Sequence, residues 1–203
     1  MSPTRPHASQ AAAVAGPRQV LLFSGHRVDA PGRAVPRFPP DKERAAARRI
    51  AEVLDRLGAG PADLALTQGA AGGDLLFAEA CLDRGVPLQL MLPLPEEAFI
   101  AQSILSGADG ASWRDRFLAL RARLHGSPRI ADDELGPPPA GADLWARGNA
   151  WLLEAALAHG AQRLRFLTLW DGSGGDGSGG TQHMVDEVRH RHGQVYWIDT
   201  RSL

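Results

Sequence analysis

One cysteine, Cys81, stands in a chain of 203 residues, so neither an intrachain disulfide framework nor a cysteine zinc cluster can form, and a reducing, cytoplasmic setting is expected. Charge of one sign is also missing. The 22 Lys and Arg against 23 Asp and Glu leave a net charge of -1, which supplies no global attraction for DNA, RNA or an anionic membrane surface. Any anion site must therefore be local. Every long apolar run is interrupted by charge, which argues against a membrane-spanning helix. Residues 1–17, MSPTRPHASQAAAVAGP, have no leucine-rich stretch and contain prolines, so they read as a disordered tail and not as a leader. The remaining length suits one domain, residues 18–203.

What the chain does have is a set of short apolar runs, at 20–23, 64–66, 88–92, 164–170 and 195–198, of the kind that strands buried on both faces produce. Helical patterns lie between them. Ala46, Ile50, Val53, Leu54 and Leu57 follow helical spacing with Arg44, Arg48, Glu52 and Arg56 on the other side, and Gly58 ends the pattern. The segment 74–84 is apolar on most sides, and further helices are expected near 96–105, 113–124, 143–158 and 181–191. By composition, 106–113 and 132–143 are loops. Strands alternating with helices through short Gly/Pro loops predict a Rossmann-like α/β fold, a mainly parallel sheet flanked by helices on both faces.

In such sheets ligands sit beyond the carboxyl ends of the strands, and there the informative residues gather. The first run ends in Ser24-Gly25-His26-Arg27, the second continues into TQGAAGGDLLFAEA, and a later one into WDGSGGDGSGGTQHMVDE. Gly69, Gly72 and Gly73 let the backbone bend sharply, and the helix start behind them can direct N–H groups at an anion; the same glycines equally serve to join strand to helix. Asp74 either favours its helix dipole or partners a ribose hydroxyl or a metal-bound water. Gly179, Gly180 and Thr181 read as a closing phosphate loop at a helix start. No Gly-Lys-Ser/Thr and no three-glycine dinucleotide fingerprint is present, which excludes a P-loop ATPase. Asp171 and Asp176 match no calcium loop, and of His183, His190 and His192 only the first falls near the expected pocket. Arg147 and Asn149 form a polar pair in the otherwise apolar DLWARGNAWLLEAAL, so each needs a structural partner or a ligand.

A strand ending in SGHR paired with one continuing into QGAAGGDLLFAEACLDRGVPL resembles the SLOG superfamily, the Rossmann-like group that includes the lonely-guy phosphoribohydrolases and the DNA-processing proteins. In detail it is similar to the small YspA/YpsA-like branch. The likeness covers 18–94 well and continues more loosely through GGTQHMVDE; some bacteria attach such modules to repeat-containing or cyclase-linked signalling proteins. The resemblance implies a nucleotide or nucleotide-derived ligand among the first, second and late strand ends. Ser24 and Gly25 would keep the strand end thin while His26 or Arg27 meets negative charge. The catalytic members carry Pro-Gly-Gly-x-Gly-Thr followed closely by a glutamate. Here Ser178-Gly179-Gly180-Thr181 is followed by Gln182, His183 and Met184, with Asp186 and Glu187 only later; Arg147 loosely matches the hydrolases' preceding arginine. Binding or sensing is thus expected first, N-glycosidic hydrolysis second and a purely structural role third. No cofactor is required, Mg²⁺ accompanying a phosphorylated ligand is allowed for, and a homodimer is left open.

Overall fold

Successive side chains of an extended run face opposite ways, so a continuous apolar run buries both sides of a sheet. The first strand does this in the computed structural model, which describes residues 16–173 and 180–203. In β1 (Val20–Gly25), Leu21 and Phe23 enter one core while Val20 and Leu22 enter another. The chain continues through α1 (Glu43–Arg56), β2 (Leu64–Thr67), α2 (Gly73–Asp83), β3 (Leu88–Leu92), α3 (Glu96–Phe99) and α4 (Gly110–Ala122). It ends with β4 (Arg129–Ile130), α5 (Ala131–Leu135), α6 (Leu144–Leu157), β5 (Leu164–Trp170), α7 (Thr181–His190) and β6 (Gln194–Asp199). The six strands are parallel throughout, in the order β4-β3-β2-β1-β5-β6.

Ile50 and Leu54 of α1, Leu75 and Phe77 of α2 and Phe117 of α4 fill the core on the Leu21 face. Leu152 of α6 and Val185 and Val188 of α7 fill the one on the Val20 face. The α/β Rossmann-like class is therefore as expected, with helices on both faces. Among the described residues no helix is long and apolar enough to cross a membrane.

Composition misplaces two segments. Residues 132–143, expected to be loop, begin inside α5, whose Asp132, Asp133 and Glu134 suit the positive end of its dipole and which follows the two-residue β4. The loop expected over 106–113 gives way to α4 at Gly110. The expected helix near 96–105 is α3 running into a π-helical turn, Ile100–Ile104, a rare form that often marks a site. Residues 1–15, most of the expected tail, and 174–179, which include Asp176 and Gly179, lie outside the described residues.

The exit of β1 and the turn between β2 and α2 are clamped backbone to backbone. Val28 N donates to Ala71 O at 3.0 Å, Gly73 N donates to His26 O at 3.2 Å, and Arg27 and Gly72 form an antiparallel bridge. Gly72 has a φ of +115°, and a Cβ there would stand 2.6 Å from Val28 N. Gly32 has a φ of +76° with nothing within 4 Å of its would-be Cβ, so alanine there costs only conformational strain, about 1 kcal/mol. Gly72→Ala adds a backbone collision to that strain and should cost about 3 kcal/mol or more in urea unfolding. Equal losses in the two variants would contradict the clamp.

Candidate functional site

From β1 the sheet grows one way through β2, β3 and β4, then the chain returns to place β5 on the other side of β1. Such a reversal leaves a crevice beyond the strand ends. A cavity of about 480 Å³ opens there. Ser24, Gly25 and His26 border it from the end of β1, Gln68 from the exit of β2, Trp170 from the end of β5, and Gly180 and Thr181 from the start of α7. Arg27, Arg33 and Arg37 come from the loop after β1, and Trp145 and Asn149 from α6.

A buried carboxylate ties the arginine-bearing loop. Asp29 Oδ2 accepts from the amides of Arg37 and Phe38, both at 2.9 Å, and Arg33 Nε lies 3.5 Å from Asp29 Oδ1. Phe38, fully buried, anchors the loop's far end in the core. Arg27 donates to Gln102 O at 2.7 Å and to Ser106 Oγ at 3.2 Å, so it joins the cavity rim to the π-helical turn.

The two helix starts at the cavity differ. Asp143 caps α6, its Oδ1 accepting from the amides of Trp145 and Ala146. Gly180, at the corresponding position of α7, provides no side-chain cap, so the first amides of α7 are the ones suited to an anion.

His26 continues β1 so closely that its own N–H donates to Leu169 O at 2.8 Å. Its ring Nε2 accepts from Asp171 N at 3.2 Å and lies 3.1 Å from Asp171 Oδ1. Burial lowers the pKa of His26 below its ordinary value, outweighing the carboxylate beside it. With Nε2 accepting from an amide, the neutral ring carries its proton on Nδ1. Partial burial opposes the charge of Asp171, yet the Ser173 hydroxyl and amide, with His26, hold its carboxyl down at about 2. Because the neutral His26 ring turns an unprotonated Nε2 toward the carboxylate, that support comes from Ser173 unless His26 is protonated.

Asp74 is carried inward by the buried first turns of α2 and is only 6% exposed, at the cavity. Burial pushes its carboxyl up to about 6, although Thr67 and the amides of Ala70 and Gly69 favour its charge. The Gly69 and Ala70 amides donate to Oδ2 at the long distances of 3.2 and 3.4 Å, and the buried Thr67 hydroxyl completes no hydrogen bond of full geometry among the described residues.

Of the residues singled out from the sequence, Ser24, Gly25, His26, Arg27, Asp74, Asn149, Gly180 and Thr181 border the cavity. Asp171 reaches it only through His26. Gly69, Gly72, Gly73 and Arg147 do not line it. A Cβ on Gly73 would meet the Phe23 ring at 3.0 Å and one on Gly25 would meet Leu169 O at 2.9 Å, so close packing already accounts for both glycines. Arg147 pairs with Asp132 and donates to Gly136 O, fastening α5 to α6. His183 is exposed. Among the described residues no three His, Cys, Asp or Glu side chains gather to hold a metal.

Sequence reasoning missed Arg33, Arg37, Gln68 and Trp145. Trp145 and Asn149 are four apart and share a helix face, a signal that was available; the arginines depend on the Asp29 knot, which no local pattern announces. No protein-family model and no curated protein matches the chain.

The folded protein binds the Asp74 proton more tightly than the unfolded chain does. That contribution is complete below the unfolded value of 3.8 and is lost as pH rises through about 6. Asn keeps an acceptor and carries no charge. Relative to the parent, Asp74→Asn should therefore gain up to about 3 kcal/mol in urea unfolding between pH 4 and pH 8. A stability difference that stays flat with pH would contradict the buried carboxylate.

Proposed function

We propose that the cavity binds a nucleotide or nucleotide-derived ligand. One observation carries this reading: a single cavity at the sheet's reversal borders three arginines and the start of α7, which has no side-chain cap among the described residues, as well as an aromatic ring and a side-chain amide pair. Guanidinium groups and helix amides suit phosphate, whereas indole and amide suit a planar base. The likeness to the SLOG superfamily supports the same ligand class, and a binding or sensing role is preferred.

Hydrolysis of an N-glycosidic bond is the second reading. The carboxyl of Asp74 favours it, since an acid held at about 6 exchanges its proton near neutral pH. Against it, the acids that follow Thr181 do not border the cavity: Asp186 accepts from Gln182 and Glu187 pairs with Arg191.

Titration calorimetry with mononucleotides, dinucleotides, ADP-ribose and cyclic nucleotides tests the proposal. At least one should bind saturably. Arg27→Ala should weaken that ligand ten- to a hundredfold, the scale of about 1.5–3 kcal/mol for a charged hydrogen bond, and leave the unfolding midpoint nearly unchanged because its hydrogen bonds to Gln102 O and Ser106 Oγ are exposed. Arg27→Lys should restore part of the affinity. Failure of every nucleotide to bind would overturn the proposal. Release of free base at about one per second or faster, abolished by Asp74→Asn, would put hydrolysis first.

A further inference from the structure

Gln68, directly after β2, is 8% exposed and borders the cavity. Its Nε2 donates to Asn149 Oδ1 at 2.8 Å, which ties that end of the Gln68 amide to α6. The helix behind it is pressed close. A Cβ on Gly148 of α6 would lie 2.5 Å from Pro93 Cβ and 3.4 Å from Gln68 Nε2, so α6 packs closely across the exit of β2. Its other end, Oε1, accepts no hydrogen bond among the described residues, yet it is not sealed among the buried unpartnered atoms. A carbonyl so placed is an acceptor offered to whatever enters the cavity.

Trp145, one turn before Asn149 on α6, borders the same cavity and is 36% exposed. An indole face and an acceptor together suit a flat heterocycle that carries an N–H donor. The sheet also sets the distance to the anion-suited end. The exits of β2 and β5 are two strand spacings apart with β1 between them, roughly 10 Å, which matches the span from base to phosphate in a mononucleotide.

On the reading that the cavity takes a nucleotide, we propose that Gln68 is a specificity-determining residue whose Oε1 accepts from the exocyclic amino group of the ligand's base. An amino-bearing ring, of the adenine or cytosine kind, is then held over one lacking that group. The phosphate lies toward Thr181 and the ribose over the end of β1.

Calorimetry with two probes decides this: adenosine 5′-monophosphate, and purine riboside 5′-monophosphate, which differs only in lacking the amino group. The parent should bind the first about tenfold more tightly, the scale of one hydrogen bond. Gln68→Leu should bring the two affinities within about twofold. Gln68→Glu keeps an acceptor and should keep the preference, which guards against a leucine variant that fails to fold. Equal affinities in the parent, or a preference that survives Gln68→Leu, would overturn the role of Gln68 while leaving the nucleotide site standing. If neither probe nor any other nucleotide binds, the nucleotide reading falls and this inference with it.

Discussion

The backbone clamp between the exit of β1 and the β2–α2 turn is the constraint on which the rest of the site depends. Gly73 N and Val28 N are spent on His26 O and Ala71 O, and Gly72 lies flat against Arg27 with no room for a side chain. A glycine-rich helix start of this kind could cradle phosphate, but here the protein's own chain takes up that space. Three consequences follow from one contact. His26 is delivered to the cavity at the reversal of the sheet, Asp74 is drawn inside with the first turn of α2, and the anion-suited amides are left to α7 on the far side of β1.

Two carboxylates near the end of β1 are driven in opposite directions. Asp74, enclosed by α2 and served by long hydrogen bonds, rises to about 6, whereas Asp171, held by the Ser173 amide and hydroxyl, falls to about 2. Groups of one chemistry separated in this way commonly divide labour, one exchanging protons near neutral pH and the other keeping its charge. In this protein the backbone amide of Asp171 orients His26, and the exchanging Asp74 borders the cavity. A bound ligand would thus meet an imidazole and an acid that exchanges its proton just below neutral pH, with cations supplied by the arginine loop.

The fold was largely legible because periodicity and glycine punctuation report local geometry directly. Short, largely apolar runs mark β1, β2, β3, β5 and β6, and Gly58 and Gly85 follow the ends of α1 and α2. β4 has two residues and leaves no period to read, and α5 is held partly by tertiary partners, Arg129 for Glu134 and Arg147 for Asp132. The site was legible in part. Strand-end chemistry identified Ser24, Gly25, His26 and Asp74, but glycines needed for packing look the same in sequence as glycines needed for ligand. Gln68 and Trp145 join the site only because α6 crosses the exit of β2, a fact of topology that neither segment carries alone.

The central claim is that one cavity, at the reversal between β1 and β5, is where this protein meets its ligand. Amide-resolved nuclear magnetic resonance during titration with the tightest-binding nucleotide tests it most directly. The account predicts saturating shifts at Gly25, His26 and Arg27, at Gln68 and its side-chain amide, at Asn149, and at Gly180 and Thr181, with the buried centre of α1 unmoved. Shifts confined instead to the shallow proline-lined hollow around Pro31, Pro36 and Pro39, or to the β4 edge of the sheet, would contradict it.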